Sequence, residues 1–121
     1  MGNKHKAKGT SFETVVVNYL REKGFKNARR TALAGSNDTG DINGVVREKS
    51  MSEVAFQCKN QKSFSLSEWL DDTVAQAGRL RDGLPVLVVK RPRKGVAALG
   101  ESYAVMRLDD VIRLLKDADF S

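Results

Sequence analysis

The sequence is poor in the residues that mark disulfide-bonded, zinc-binding or membrane-spanning proteins. Among its 121 residues there are one cysteine, one histidine and two prolines. A single cysteine, Cys58, excludes an intramolecular disulfide and a multi-cysteine zinc site, which fits a reducing compartment. No apolar run approaches the length of a membrane span, and no apolar signal-peptide segment follows the basic N-terminus. We therefore expect a cytoplasmic protein without a membrane partner.

Basic residues exceed acidic residues by 21 to 15, which gives a formal net charge of +6. Much of the excess lies in two short segments, formed by Lys4, Lys6 and Lys8 and by Lys90, Arg91, Arg93 and Lys94. Without these seven residues the chain has 14 basic and 15 acidic residues, so the basicity is local. Two concentrated basic segments on a small domain favour a polyanionic partner, most simply nucleic acid, over two solvated charge runs.

The length predicts a single domain with one core, over residues 10–121, after a flexible basic arm of residues 1–9. Hydrophobic periodicity predicts a helix over residues 10–23, a second from the Ser65 capping box to about residue 82, and a third from residue 108. Strands are predicted over residues 25–33, 41–48, 53–60, 84–89 and 102–106. The order αβββαββα, with a buried apolar run at residues 84–89, predicts an α/β (α+β) fold with a mixed sheet flanked by helices.

Two side chains on the predicted helical stripes have more than one interpretation. Glu13 falls inside the apolar arc that begins at Phe12, where a carboxylate is costly unless it is paired or bound to a cation. It is therefore either a functional residue or a boundary residue paired with a lysine. Trp69 lies on the apolar stripe of the second helix, and we expect it to be a core residue rather than a platform for stacking bases.

The candidate catalytic residues are Asp41, at the start of one strand, and Gln57, Cys58 and Lys59 in the next strand. Alternation places Cys58 on the core face as a small hydrophobe, and Gln57 and Lys59 on the other face, about 7 Å apart. Asp41 with the Gln57 side-chain carbonyl or the Cys58 backbone carbonyl suits a hard cation such as Mg²⁺. Lys59 would stabilise the phosphate charge or position the attacking water of a phosphodiester hydrolysis. The spacing alone is weak, because it also arises by chance.

Two segments, Gly40-Asp41 and Gln57-Cys58-Lys59, resemble the motif of the PD-(D/E)XK nuclease superfamily. The restriction-endonuclease-like core of that superfamily has the order helix, three strands, helix, strand. The closer resemblance is to archaeal-type Holliday junction resolvases, over about residues 8 to 91. It is carried, in the order of that family, by Lys8-Gly9 before Glu13, Lys23-Gly24-Phe25, Ala34-Gly35-Ser36, Asp41-Ile42 and residues 83–90.

This resemblance implies a homodimer, in a prokaryotic or virus-infected cell, that binds four-way DNA junctions and nicks two strands symmetrically with Mg²⁺ or Mn²⁺. Glu13, Asp41 and Gln57 match the acidic metal-site positions. Lys59 matches the motif lysine, and Ser36 matches the serine of the Gly-Ser loop. The residues expected to bind the DNA backbone are Arg29, Arg30, Lys62 and the basic residues Lys4, Lys6, Lys8, Lys90, Arg91, Arg93 and Lys94.

The chain departs from the pattern at three places. Gln57 stands where the family has Glu or Asp, so the site loses one negative charge and its metal affinity should fall. Gly40 replaces a proline, and a longer loop adds Asn37, Asp38 and Thr39, of which Asp38 could supply a compensating carboxylate. Two alternatives therefore stay open. The protein could be a PD-(D/E)XK endonuclease for other branched or duplex DNA, or a catalytically weak DNA-binding relative.

Overall fold

The computed structural model describes residues 4–32 and 37–121, and it describes side chains from Phe12 onward within these ranges. The helices are α1 (Lys4–Glu22), α2 (Leu66–Ala77) and α3 (Leu108–Asp117), with a short 3-10 helix at Val96–Glu101. The strands are β1 (Arg29–Arg30), β2 (Ile42–Asn43), β3 (Val46–Arg47), β4 (Ser52–Lys59), β5 (Leu84–Val89) and β6 (Tyr103–Val105).

These strands form one mixed sheet in the order β1-β2-β4-β5-β6, and β3 pairs with β4 beside this path. β4 and β5 are parallel, whereas the other pairs in the described ranges are antiparallel. β5 lies between β4 and β6, and its side chains Leu87 and Val89 are fully buried, as its continuous apolar sequence predicts. The predicted mixed sheet flanked by helices is confirmed. The strand after Asp41 pairs antiparallel with β4.

The two faces of the sheet have different coverings because side chains alternate along β4. Phe56 and Cys58 face α1 and pack against the buried cluster that includes Val16 and Ile42. Helix α2 covers the other face, over β4 and β5, and Gln57 contacts it there. Residues 41 and 57–59 thus lie in the part of the sheet that α1 covers on one face and α2 on the other.

Helix α1 begins at Lys4, so residues 4–9, predicted to be a flexible arm, are helical. The apolar stripe that starts at Phe12 anchors the helix in the core. Because no proline precedes Phe12, the helical hydrogen bonding can continue from there toward the N-terminus. Gly24, with φ +108°, follows the end of the helix, and its N–H donates to the Arg21 carbonyl. The division of the chain into an arm and one domain stays a prediction.

Three predicted elements are shorter than their patterns suggested. The strand over residues 25–33 is confined to β1, and α2 ends at Ala77 rather than near residue 82. The strand over residues 41–48 is split into β2 and β3 at Gly44. Gly44 has φ +96°, and a Cβ there would lie 2.0 Å from the Asn27 carbonyl oxygen. Only glycine fits this close approach, and the chain bends there.

Helix α3 carries an apolar stripe that its neighbours do not bury. Leu108 is 73% exposed, and Ile112 and Leu115 on the same stripe are also exposed. Asp110 in the first turn is buried, and it accepts a hydrogen bond from the Arg107 Nε at 2.8 Å. In the described ranges no helix combines the length and the apolar character needed to cross a membrane.

Candidate active site

The backbone of β4 holds the Asp41 carboxylate in place. The Asp41 N–H donates to the Phe56 carbonyl at 2.7 Å, and Asp41 Oδ2 accepts from the Cys58 N–H at 2.8 Å. The preceding Gly40 has φ +107°, and a Cβ there would lie 2.8 Å from the Phe56 oxygen. Proline is confined to φ near about −65°, so this approach of the chain to β4 explains why glycine replaces the proline of the resembling family.

Glu13 of α1 is paired with Arg30 of β1. Both Nε and Nη2 of Arg30 lie 3.2 Å from Glu13 Oε2. The pKa of Glu13 is nevertheless raised, first by burial and then by the negative charge of Asp41, while Arg30 acts in the opposite direction. The partner is thus an arginine rather than the lysine considered from sequence. The two carboxylates lie close enough to repel each other.

The pKa of Asp41 is also raised, and burial is the largest cause. The Cys58 N–H and the charges of Lys59 and Arg30 oppose this effect, and the charge of Asp38 adds to it. Burial together with the negative charges of Asp41 and Glu13 raises the pKa of the Cys58 thiol well above its ordinary value. The thiol therefore stays neutral, and Cys58 packs against the α1 core as the sequence suggested.

Gln57 lies under α2 with 7% of its surface exposed, and its Oε1 is 2.6 Å from Thr73 Oγ1. Thr73 Oγ1 is also 2.7 Å from the Trp69 carbonyl oxygen. A hydroxyl has one proton and cannot donate fully to two acceptors. Rotating the amide by 180° keeps its shape and lets Nε2 donate to Thr73 while Thr73 donates to Trp69. In that orientation the carbonyl oxygen of Gln57 points away from Thr73.

Lys59 follows at the end of β4, on the same face as Gln57, as the alternation predicts. Its Nζ lies 5.6 Å from the centroid of the Trp69 ring, and its charge lowers the pKa of Asp41. The charges of Glu13, Asp41 and Lys59 thus meet around one point of the sheet. Gln57 instead makes its hydrogen bond to α2.

Asp38, the candidate compensating carboxylate, is fixed between the loop and α2. Its Oδ1 accepts from the Gly40 N–H at 2.9 Å, and its Oδ2 accepts from Gln76 Nε2 at 3.0 Å. The Arg79 guanidinium donates to its backbone carbonyl at 2.7 Å. Because its charge raises the pKa of Asp41, Asp38 lies near the site, but it is already held by α2. Ser36 and the side chains of Lys4, Lys6 and Lys8 lie outside the described residues.

Sequence reasoning missed Thr73 and Gln76 as neighbours of the site. Both are buried on α2, three positions apart and therefore on one face of the helix. Gln76 Oε1 is a buried side-chain atom without a hydrogen-bond partner among the described residues. The signal in the sequence was a polar residue at a helix position that faces the sheet. It could be recognised for Thr73, because Thr73 falls on the apolar stripe of α2.

The predicted DNA-binding residues with described side chains lie at two places, around the ends of β4 and β5 and on β1. Lys62, Lys90, Arg91 and Arg93 line one cavity of about 210 Å³ at the ends of β4 and β5. We call this the basic cavity. Arg91 and Lys94 also lie 3.6 and 3.4 Å from a Glu101 carboxylate oxygen. Arg29 is exposed on β1, whereas its neighbour Arg30 is engaged by Glu13.

Among the described residues no group of three or more His, Cys, Asp or Glu side chains is arranged to hold a metal ion. Two carboxylates are nevertheless sufficient for Mg²⁺, which usually keeps several waters. Glu13 and Asp41 each use one oxygen in the contacts above, Oε2 and Oδ2, which leaves Oε1 and Oδ1 for a cation. The hard oxygen donors and the mutual repulsion of the two carboxylates fit a small divalent cation.

A mixed sheet between helices, with an aspartate entering β2 and a lysine two positions after an amide in β4, defines a PD-(D/E)XK nuclease. The chain belongs to the family described as "Phage putative PDDEXK endonuclease", whose model matches residues 4–120. No curated protein and no solved structure matches the chain. The membership of the superfamily and the restriction-endonuclease-like core are thereby confirmed. The resemblance to archaeal-type Holliday junction resolvases stays a prediction.

Proposed function

We propose that this nuclease is a metal-dependent endonuclease for branched DNA, with the four-way junction as its first candidate substrate. The observation that carries the proposal is the Asp41 carboxylate, which the Cys58 N–H orients between the charges of Glu13 and Lys59. A structural ion pair would need neither a second, partly buried carboxylate nor the glycine turn that brings Asp41 against β4. Perturbed carboxylates with a nearby lysine are typical of an active site.

Glu13 and Asp41 are the side chains that would hold Mg²⁺ or Mn²⁺. When bound, the ion supplies charge stabilisation at the phosphate and lowers the pKa of its bound water. Lys59 positions the attacking water or balances the negative charge that develops on the phosphate. Arg30 restrains Glu13 and offsets part of its charge when no cation is present. The Gln57 carbonyl and the Cys58 carbonyl are further candidate oxygen donors.

The basic cavity would bind the DNA backbone beyond the scissile phosphate. It lies at the end of β4, and the Lys90 N–H donates to the Lys59 carbonyl at 2.9 Å, so the two sites are directly connected. Arg29 extends the positive surface on the opposite side of Asp41. Cations on both sides of the carboxylates suit a polyanion that crosses the site.

We also propose a homodimer, because the exposed apolar stripe of α3 requires a cover. Leu108, Ile112 and Leu115 are joined by the exposed Leu114, and Phe120 beyond the helix is 65% exposed. Apolar patches of this kind on a soluble domain mark interaction surfaces. A second copy would place two active sites in one particle, which symmetric nicking of two strands requires.

The second candidate function is a catalytically weak DNA-binding relative, and Gln57 favours it. The neutral amide gives the site one negative charge fewer than the family pattern, and it is bonded to Thr73. Such a protein would bind branched DNA tightly and bind Mg²⁺ weakly. Calorimetric titration of the DNA-bound protein with Mg²⁺ and Mn²⁺ therefore separates the two functions.

The deciding experiment is incubation of the protein with a four-way junction and Mg²⁺, beside flapped and plain duplex DNA of equal length. We expect paired nicks in the junction, and we expect Asp41→Asn to abolish them without changing the circular dichroism spectrum. Asp109→Asn, at an exposed position in α3, is the matched control and should keep full activity. Full cleavage by Asp41→Asn would contradict the proposed site, and cleavage of flaps alone would replace the junction as substrate.

A further inference from the structure

Three residues lie side by side across the sheet at the end of β4. Lys59 pairs with Val89 of β5, and Val89 pairs with Tyr103 of β6. Directly paired residues project on the same face, and adjacent strands are about 4.8 Å apart. The Cα atom of Tyr103 therefore lies about 10 Å from the Cα atom of Lys59. Val89 between them is fully buried.

Three aromatic rings cover this row on the side of α2. The Phe64 ring lies 6.0 Å from the Trp69 ring and 6.1 Å from the Tyr103 ring, measured between centroids. Phe64 is 38% exposed, Tyr103 is 42% exposed, and Trp69 is half-buried. We call these three residues the aromatic surface. Trp69, predicted to be a core residue, is thus partly exposed and lies outside the fully buried core.

Cations stand at both ends of the aromatic surface. Lys59 Nζ lies 5.6 Å from the Trp69 ring, and the Arg91 guanidinium lies 5.4 Å from the Tyr103 ring. Beyond Arg91 the surface continues into the basic cavity, with Lys62 and Arg93. Starting at Lys59, the row thus consists of a cation, the exposed rings and a second cation.

This alternation fits a single strand of nucleic acid better than a duplex. Bases stack on aromatic rings only when they are unpaired, and the phosphates between them bind cations. In a duplex the base faces are covered by their neighbours, so the exposed rings would find no partner. The positive charge at both ends also disfavours an apolar peptide, which would leave Lys59 and Arg91 without counter-charge.

We propose that the aromatic surface binds unpaired nucleotides of the strand whose phosphate is held at Lys59. The inference rests on the proposed function and narrows its substrate. The preferred DNA carries unpaired bases next to the scissile phosphate, as in a tail, a gap or a flap. A four-way junction with fully paired arms lacks this feature at its arms.

Trp69 is the single tryptophan of the chain, so its fluorescence reports on this surface directly. The metal-free protein is titrated in EDTA with oligothymidylate and, separately, with a blunt duplex of the same length. We expect saturable quenching by oligothymidylate and little quenching by the duplex at equal occupancy, measured by anisotropy of the labelled DNA. Equal quenching by both, or no quenching by bound oligothymidylate, would overturn the proposal.

Substitutions then test the two exposed rings. Phe64→Leu and Tyr103→Leu remove a ring but keep an apolar side chain, and Tyr103→Phe keeps the ring. We expect each leucine variant to lower the ratio of affinities for tailed and blunt DNA about tenfold, which is about 1.4 kcal/mol. Tyr103→Phe should keep the ratio of the unmodified protein. Phe25→Leu, at an exposed position after α1, is the matched control and should also keep it.

The outcomes separate this inference from the proposed function. If both leucine variants retain the ratio, the aromatic surface is only a cover for Val89, and cleavage that depends on Asp41 still supports the nuclease. If Asp41→Asn cleaves normally while the leucine variants lose their preference for tailed DNA, the surface stands and the proposed active site fails. Binding in EDTA requires no catalysis, so the two results are independent.

Discussion

The substitution Gln57→Glu restores the acidic residue of the family pattern and changes only one atom of a buried side chain. It creates no cavity, so its effect is electrostatic. The new carboxylate has one hydrogen-bond partner in the structure, Thr73 Oγ1, and lies in a site whose carboxylates already have raised pKa values. A buried charge with incomplete hydrogen bonding destabilises a protein by about 1–3 kcal/mol. At about 2 kcal/mol, Tm falls by roughly 6–10 °C in a domain of this size.

Mg²⁺ should reverse this loss if Gln57 belongs to the metal site. A tenfold gain in Mg²⁺ affinity corresponds to about 1.4 kcal/mol of added binding energy. At saturating Mg²⁺ that energy stabilises the folded state and recovers most of the lost Tm. The assay is a thermal melt of the unmodified protein and Gln57→Glu, with and without Mg²⁺. The control is Asn18→Asp, which also replaces an amide by a carboxylate, at an exposed position of α1.

Junction cleavage gives the functional reading of the same variant. A gain in activity at low Mg²⁺ would show that the amide weakens the metal site, and a loss would show a pocket adapted to the amide. The reasoning is refuted if Gln57→Glu melts like the unmodified protein without metal and Mg²⁺ shifts both equally. In that case Gln57 serves only to anchor β4 to α2.

Two further predictions concern the carboxylate pair and its turn. The pKa of Glu13 is raised in the folded state, so its ionised form opposes folding above the ordinary value of 4.5, and this effect fades as pH falls toward that value. Metal-free Glu13→Gln should therefore be more stable at pH 7, by less than about 1 kcal/mol because water screens the partly exposed charge. It should not be more stable below pH 4.5 in urea unfolding, with the exposed Glu48→Gln as control. A constant difference at all pH values would contradict the pKa argument. Gly40→Ala should lose about 1–3 kcal/mol because of its positive φ and its contact with the Phe56 oxygen. Gly95→Ala, where a Cβ meets nothing within 4 Å, should stay close to the unmodified protein, and equal stability of both variants would refute the strain at Gly40.

The central sheet could be predicted because its signals are local. Alternation along β4 and the apolar run of β5 depend only on neighbouring positions, and both strands lie where the sequence predicted them. The bend at Gly44 could not be predicted, because it depends on the Asn27 carbonyl, a contact between distant positions. The exposure of α3 likewise depends on what packs against it. The helix is amphipathic whether or not a partner covers its apolar stripe.

The site was predictable in its members but not in their pairing. Asp41 and Lys59 follow from a motif, whereas the Glu13–Arg30 pair and the Gln57–Thr73 bond join elements that only the fold brings together. Trp69 is half-buried rather than in the core for the same reason. An apolar stripe does not show that the neighbours of the ring will be a lysine at the end of a strand and a partly exposed loop residue, here Lys59 and Phe64.

The charges of the site indicate how metal and DNA binding depend on each other. Glu13, Asp41 and the nearby Asp38 carry three negative charges, and Arg30, Lys59 and the Arg79 guanidinium beside Asp38 carry three positive charges, so the free site is formally neutral. The amide at position 57 adds no charge, and a divalent cation therefore meets little net attraction in the free protein. A DNA phosphate at Lys59 brings a further negative charge and restores that attraction. Because such coupling is reciprocal, the ion and the phosphate should each bind more tightly in the presence of the other, so that two carboxylates would suffice for the proposed metal site once DNA is bound.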